Sequence, residues 1–361
     1  MHPVRIDVTT ASGAYAVLVG PGLASQIGSL LDERRIGRRR FVVTNPLVWR
    51  LHGEPIAAAL PGAEVIQIPD GERHKHLQTV GRVYDLLVKA QADRGSVIVT
   101  VGGGVIGDLA GFVAATFMRG IGLVHVPTTL LAQVDASIGG KVGVNLAAGK
   151  NLVGAFYPPL LVVADPRFLG TLPRREFRAG MYEVVKYGMA CSETLFTRLQ
   201  RDRRSLRDAA SETLGPLVAE CGSIKAAIVS ADERESGLRR VLNFGHTAGH
   251  AIESVTGYRR FRHGEAVAWG MLVAADVAVA RALLADDERA QLSTLIMQLG
   301  PLPQVTDLAI GDILDAMQRD KKVTDGALHF VLPTGIGRAS VVTDVRVEEL
   351  TAALRRVGFR A

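Results

Sequence analysis

Residues 96–108 constrain this chain more tightly than any other stretch. Val97 to Val101 is an unbroken run of β-branched residues, apolar but for Thr100, which predicts a buried strand. Gly102, Gly103 and Gly104 follow and let the backbone turn sharply with its N–H groups exposed. Beyond them, 105–118 has the length and apolar periodicity of a helix. A strand, a glycine turn and a helix N-terminus form an anion cradle, because unpaired N–H groups and the helix dipole both face the ligand. Gly102, Gly104 and Gly107 also fit the G-x-G-x-x-G pattern of dinucleotide-binding turns. Two features depart from that pattern. The turn lies deep in the chain, and the position about 20 residues on, where an acid would hold a ribose hydroxyl, falls in the non-acidic Val126-Pro127-Thr128-Thr129.

The surrounding chain supplies the rest of a nucleotide-binding sheet. A hairpin signal spans 4–19 around Ser12-Gly13, and strand-like runs recur at 41–44, 65–68, 123–126 and 160–163. Helical stretches such as 77–90 lie between them. Alternation of this kind predicts a mostly parallel, Rossmann-like sheet with helices on both faces. Ligands then sit past the carboxyl ends of the strands, here Thr44-Asn45, Asp70-Gly71-Glu72, Gly102–Gly104, Pro127-Thr128-Thr129 and Asp165. From Pro173 to about Met317 helix formers dominate. Extended signals return only at 329–332 and 339–343, before a final helix over 347–357. The expectation is an α/β nucleotide-binding domain, 1–172, followed by a mainly α-helical domain, 173–361.

Composition narrows the function classes. Of the 361 residues, 48% are hydrophobic and 22% charged, enough for two ordinary cores. The longest apolar stretch, 266–284, carries Asp276 and Arg281 and reads as a core helix, not a membrane span. Two cysteines, Cys191 and Cys221, make neither a disulfide framework nor a metal-ligand spacing, and with no signal-peptide pattern this points to the cytoplasm. The formal net charge is +6, but the arginine-rich runs at 34–40 and 201–207 lack interleaved aromatics. They read as solvated faces, not as a nucleic-acid surface. The same field suits a small anionic substrate.

Three of the nine histidines, His246, His250 and His263, fall close together in glycine-flanked contexts. His246 and His250 are spaced i, i+4, on one helix face, which makes them natural co-ligands of a metal such as zinc. The pattern is not H-E-x-x-H. Arg239, Asn243, His246 and His250 would form a polar stripe if one helix carried all four. Glu183 and Lys186, at i and i+3 among apolar neighbours, suggest a buried carboxylate in need of a cation. A second glycine-rich, lysine-bearing loop, 139–151, contains Lys141, Lys150 and Asn151 and follows Asp135. It lacks the spacing of a nucleoside-triphosphate loop, though lysines beside glycines suit a phosphate.

Together these motifs resemble the 3-dehydroquinate synthase family of sugar-phosphate cyclases. The resemblance rests on Asp70-Gly71-Glu72 with Lys75, Gly102 to Asp108, Pro127 to Asp135, Gly139-Gly140-Lys141, Gly149-Lys150-Asn151, Glu183 to Lys186, Leu242 to His250, His263 to Val267 and Asp320-Lys321-Lys322. They run in the family's order over nearly the whole chain. The resemblance implies metal ligation by Glu183, His246 and His263, with one Zn²⁺ or Co²⁺ per subunit, and turns His250 toward substrate. It implies NAD contacts at Asn45, at Asp70, Gly71, Glu72, Arg73, His74 and Lys75, and at Gly102, Gly103, Gly104, Val105, Ile106, Gly107 and Asp108. Thr128, Thr129, Lys141, Lys150, Phe168, Leu169, Gly170 and Thr171 complete that set. The implied catalytic and substrate residues are Arg119, Asp135, Lys141, Asn151, Lys186, Lys225, Arg239, Asn243, His250 and one or both of Lys321 and Lys322.

The implied reaction converts 3-deoxy-D-arabino-heptulosonate 7-phosphate to 3-dehydroquinate and phosphate. It runs through transient oxidation by NAD, β-elimination, re-reduction, ring opening and aldol closure, usually in a homodimer. Arg239 is the candidate for the substrate carboxylate, because a guanidinium matches it bidentately. Tyr182, Trp269 and Thr44 depart from the family's usual residues and leave room for a sister cyclase with an altered substrate. Two further rivals are a metal- and NAD-dependent polyol dehydrogenase and a non-enzymatic anion- or nucleic-acid-binding protein.

Overall fold

The computed structural model describes residues 3–147, 149–207, 211–319, 323–324 and 327–361. Its strands begin with the hairpin β1 (Val4–Thr10) and β2 (Gly13–Val19), then β3 (Arg40–Thr44), β4 (Glu64–Gln67), β5 (Val97–Gly102) and β6 (Gly122–Pro127). A second hairpin, β7 (Lys141–Leu146) and β8 (Gly149–Phe156), precedes β9 (Leu161–Ala164). Helices α1 (Ile27–Glu33), α2 (Pro46–Ala59), α3 (Leu77–Lys89) and α4 (Gly104–Thr116) alternate with them. Seven strands form one sheet in the order β1-β2-β9-β6-β5-β3-β4, and only the β1–β2 pair is antiparallel.

Because successive strand residues face opposite ways, each face of the sheet builds its own core. Phe41, Val43 and Ile98 pack with Val80, Val83, Leu87, Leu109 and Val113 of α3 and α4. Val42, Val97, Val99 and Val101 pack with Ile27, Leu31 and Ile56 of α1 and α2. The chain steps outward from β3 to β4 and then returns to β5 on the other side of β3. Strand order therefore reverses between β3 and β5, the place where open α/β sheets bind ligands. Asn45 follows β3 there, and the glycine turn follows β5.

Residues 139–151 correct the expectation of a glycine-rich loop, since most of them belong to the β7–β8 hairpin. Gly143 and Gly154 stand opposite each other in its register. A Cβ on Gly143 would lie 2.8 Å from the Val153 carbonyl oxygen, and one on Gly154 2.4 Å from that of Val142. These glycines let two strands approach closely, which composition alone does not distinguish from a flexible loop.

The helices continue with α5 (Arg174–Cys191), α6 (Glu193–Arg207), α7 (Ser211–Ala231), α8 (His246–Val255) and α9 (His263–Ala280), then Asp286–Leu299, Ile310–Arg319 and Val347–Val357. The hairpin Phe330–Gly335 and Arg338–Val342 precedes the last helix, close to the extended runs read from sequence. The chain divides into two compact units, Met1–Pro173 with Ala209–Arg234, and Arg174–Asp208 with Glu235–Ala361. The first break falls beside the boundary at 172, but 209–234 belongs to the first unit and not to the second. Its helix α7 packs on β1: the Ser230 hydroxyl accepts from the Thr9 N–H at 3.1 Å, and Gly222 lies against Ile6. Residues Thr213–Ala231 are long and apolar enough to cross a membrane by composition, and half of that stretch is buried. In the second unit α9, which carries most of the longest apolar stretch, is buried on nearly all sides.

Candidate functional site

In the first unit the glycine turn and the β7–β8 hairpin converge on Lys75. This lysine is buried, and its ammonium lies 2.5 Å from Asp108 Oδ2 and 2.6 Å from Asn151 Oδ1. Burial alone would lower its pKa, but Asp108 and Glu72 outweigh that and hold it above the ordinary lysine value as a cation. Asn145, which the sequence reading did not single out, ties the group together. Its amide donates to Glu72 Oε1 at 2.8 Å, its Oδ1 accepts from the Asn151 N–H at 2.8 Å, and its own N–H donates to the Lys75 carbonyl at 2.7 Å. Asn151 holds φ 53, a left-handed conformation that asparagine tolerates better than most side chains. Lys75 and Asn151, assigned by resemblance to cofactor and substrate respectively, thus share one network.

Above it, α4 starts at Gly104 with no side chain capping its first turn. Gly102, Gly103, Gly104, Gly107, Ala136 and Ser137 line a shallow pocket there together with His125. A Cβ on Gly103 would meet Thr129 at 3.0 Å and one on Gly104 would meet Ala136 at 3.4 Å. Val105 is half-buried and Ile106 is core, so neither side chain faces a ligand freely. The Thr128 N–H donates to Gly102 O at 2.9 Å, and the Thr129 hydroxyl accepts from the Ala132 N–H at 3.2 Å. His125, in the apolar run of β6, bonds Thr100 Oγ1 through Nδ1 at 2.8 Å, and burial pushes its pKa down to about 4. Nothing in that run sets this histidine apart from a core residue.

Asn45 caps α2, its Oδ1 accepting from the Val48 N–H at 2.8 Å while its amide donates to Asp70 at 3.1 Å. Gly71 turns the chain with φ 96, and Arg73 Nε donates to the His74 ring at 2.9 Å. Phe168 and Leu169 bury their side chains, whereas Gly170 and Thr171 are exposed. Lys141, at the start of β7, is exposed and Lys150 is half-buried. Asp135 sits in a π-helical turn, Ala132–Ala136, of the kind often found at functional sites. It pairs with Lys225 of α7, whose ammonium also donates to the Asp135 carbonyl at 2.6 Å. Arg119 is exposed on the turn after α4 with φ 68.

The second unit gathers the histidines. A single helix through 239–250 does not form. Arg239 and Asn243 lie on a 3₁₀ turn, Leu238–Asn243, and Gly245 at φ 79 breaks the chain before α8 begins at His246. The polar stripe is therefore split, with Arg239 buried and Asn243 donating to Glu235. After α8 the chain reverses through Gly257 and Tyr258, both left-handed at φ 62 and 58, and brings His263 back as the first residue of α9. The rings of His246 lie 5.4 Å from His250 and 5.1 Å from His263 between centroids. One nitrogen from each of the three lies within 4.8 Å of the others. Glu183 of α5, fully buried, places Oε1 3.8 Å from His246 Nε2 and 3.5 Å from His263 Nε2. Lys186 holds the other oxygen at 2.5 Å. Lys321 and Lys322 lie outside the described residues.

The donor chemistry here fits a divalent cation. The His246 Nδ1 faces the Phe244 carbonyl at 3.2 Å, and His263 Nδ1 faces a Glu253 oxygen at 3.0 Å. Both partners only accept, so Nδ1 carries the proton in each neutral ring and Nε2 keeps its lone pair. Those lone pairs point at Glu183, whose carboxylate makes no hydrogen bond of good geometry; the Lys186 contact is an ion pair. Acceptors aimed at acceptors in a buried setting call for a cation. Glu183, His246 and His263 could hold it, and His250 stands close enough to compete.

Close helix packing keeps these rings together. A Cβ on Gly270 of α9 would lie 1.9 Å from the Gly245 carbonyl oxygen, and one on Gly264 1.9 Å from that of Ala179. Gly270→Ala is therefore expected to push α8 from α9. It should destabilise the chain by ~1–3 kcal/mol or more in chemical denaturation and weaken metal binding; unchanged values of both would refute this packing account. The departures at Tyr182 and Trp269 have a structural explanation. Tyr182 donates to the Gly300 carbonyl at 3.4 Å and Trp269 to that of Pro303 at 2.9 Å, so both brace the 300–303 segment.

Comparison with known proteins places the chain in a family. Residues 65–179 match the family model of the 3-dehydroquinate synthase N-terminal region, and 180–323 that of its C-terminal region. A 3-dehydroquinate synthase from Pelotomaculum thermopropionicum is 47% identical over 342 residues, 93% of this chain and 92% of that protein. Among solved structures, 2-epi-5-epi-valiolone synthase from Streptomyces hygroscopicus, with NAD⁺ and Zn²⁺ bound, superposes with a TM-score of 0.87 at 31% identity, covering 95% and 96% of the two chains. A 2-deoxy-scyllo-inosose synthase complexed with carbaglucose-6-phosphate, NAD⁺ and Co²⁺ gives 0.86 at 28% identity, covering 98% and 100%.

Proposed function

This chain belongs to the 3-dehydroquinate synthase family, and we propose that it converts 3-deoxy-D-arabino-heptulosonate 7-phosphate to 3-dehydroquinate and inorganic phosphate. The observation that carries the reading is near-full-length identity of 47% to a 3-dehydroquinate synthase, against 28–31% to synthases named for other products. The enzyme uses NAD and a divalent metal. Tyr182 and Trp269 are explained by packing, while the departure at the buried Thr44 has no structural explanation.

The conversion is redox-neutral overall, so bound NAD⁺ would supply a reversible hydride acceptor and not be consumed. A metal held by Glu183, His246 and His263 would supply Lewis-acid polarisation of a substrate oxygen. The chain's own groups divide the remaining work. Arg239 binds the substrate carboxylate, and Lys141, Asn151, Asn243 and His250 bind its phosphate. Lys186 offsets the charge of the Glu183 carboxylate. Lys225 does the same for Asp135. Lys75, Asp108 and the capless first turn of α4 hold the cofactor phosphates and ribose. Homodimer formation and a cytoplasmic location belong to the same reading; Cys191 and Cys221 form no disulfide, which suits a reducing compartment.

The test uses metal-supplemented protein, NAD⁺ at a small fraction of substrate, and the heptulosonate phosphate. One phosphate per substrate, with the cyclised product and no net NADH, is expected. NADH accumulating with turnover, or phosphate released only from a different sugar phosphate, would overturn the reading. Asp108 offers a narrower check. Asp108→Ala would remove both the charge and the hydrogen-bond acceptor beside the buried Lys75, whereas Asp108→Asn keeps an acceptor and removes only the charge, which makes it the cleaner variant. It is expected to weaken NAD⁺ binding by roughly 10–100-fold, the loss of one charged contact. An unchanged calorimetric affinity in the folded variant would remove Asp108 from the cofactor site.

A further inference from the structure

Glu253 lies on the last turn of α8, 3% exposed, in the otherwise apolar run Ala251-Ile252. A carboxylate buried so deeply needs strong partners. Its Oε2 stands 3.0 Å from His263 Nδ1, across the reversal that Gly257 and Tyr258 make. Its own carbonyl accepts the Tyr258 N–H at 2.8 Å, so backbone and side chain of one residue brace both ends of that reversal.

We propose that Glu253 is the positioning residue of the metal centre, a carboxylate that fixes the tautomer and ring orientation of His263 so that Nε2 faces the ion. This rests on the reading of Glu183, His246 and His263 as ligands. First, a carboxylate only accepts, so it fixes the proton on Nδ1 and leaves the lone pair on Nε2, the atom nearest Glu183. Second, His263 is the first residue of α9 and its side chain is 32% exposed, so packing alone holds the ring less firmly than a buried histidine. Third, the negative charge behind the imidazole raises its basicity, and carboxylates in this position typically contribute 10–100-fold in metal affinity. His246 is oriented by the neutral Phe244 carbonyl instead. The two ligands are thus held by acceptors of different strength, and His263 by the charged one.

The experiment measures Co²⁺ and Zn²⁺ affinity by chelator competition on full-length, metal-stripped wild type, Glu253→Gln, Glu253→Ala and His263→Ala. The visible spectrum of the cobalt form and the melting temperature of each apo protein are recorded alongside. Glu253→Gln still accepts from Nδ1–H but lacks the charge. It should bind one metal per chain roughly tenfold more weakly, with an apo melting temperature near that of wild type. Glu253→Ala should lose toward 100-fold and alter the cobalt spectrum. If Glu253→Ala does not fold, the glutamine variant decides. Wild-type affinity in folded Glu253→Gln, with metal lost in His263→Ala, would overturn the role of Glu253 and leave the ligand set standing. Wild-type affinity in His263→Ala would overturn the ligand set, and this inference with it.

Discussion

His246→Ala is expected to strip the protein of its metal and to lower turnover by roughly 10³-fold, the several kcal/mol that Lewis-acid activation supplies. The imidazole is one of only a few donors at the centre, and its Nε2 faces Glu183 at 3.8 Å with Nδ1 already committed to the Phe244 carbonyl. His250 is the one imidazole near enough to compete for the ion, and with His246 replaced it would leave the centre one donor short of the set. The fold should survive, because the packing of α8 on α9 depends on Gly245, Gly249 and Gly270 and on the apolar residues around them, not on the ring. The decisive measurement is elemental analysis after exhaustive dialysis, with NAD⁺ affinity as a control for the first unit. Full occupancy in a folded His246→Ala protein would remove His246 from the ligand set.

How far the sequence could be read differs between the two units for physical reasons. In the first, strand runs such as 97–101 are buried on both faces, so hydrophobic character alone identifies them, and their alternation with helices fixes a parallel sheet. The hairpin at 141–156 escaped because Gly143 and Gly154 look identical whether they loosen a loop or admit a close strand pair. Asn145 escaped too, since a hub of hydrogen bonds has no local pattern. The π-helical turn at Asp135 was visible only as an acid among apolar residues. Its partner Lys225 lies on α7, which sequence order places after the boundary and contacts place with β1.

The second unit depends on chain reversals that periodicity does not encode. An uninterrupted helix through 239–250 was a fair reading of spacings of four, three and four. Gly245 defeats it, because a left-handed residue there starts a new helix with its own phase. Resemblance supplied what spacing could not, namely that His263 returns from beyond Gly257. It did not single out Glu253, whose signal was a lone carboxylate in an apolar helical run. That signal is weak by itself, since solvated acids are common on helices, and it becomes informative only once the residue is known to be buried.

His250 is where spacing and resemblance disagree, and its replacement separates them. The i, i+4 geometry and the mutual proximity of the three rings both make His250 a plausible ligand. Resemblance gives that place to Glu183 and leaves His250 for the substrate phosphate or a proton transfer. Glu183 has the better electrostatic claim: it is fully buried, and an anion there is offset by one ammonium, Lys186, while two imidazole lone pairs point at it. A divalent ion resolves that arrangement, whereas an additional neutral imidazole does not. On this reasoning His250→Ala keeps one metal per chain and its NAD⁺ affinity, yet loses roughly 10²–10⁴-fold in turnover on the phosphorylated substrate, the range of a missing acid–base group. His263→Ala, measured beside it, should lose metal, because each ligand contributes a large share of the affinity. The readout is metal content of both variants after the same dialysis. Should His250→Ala come out empty and His263→Ala full, the ligand set is His246 with His250, and the substrate role of His250 falls.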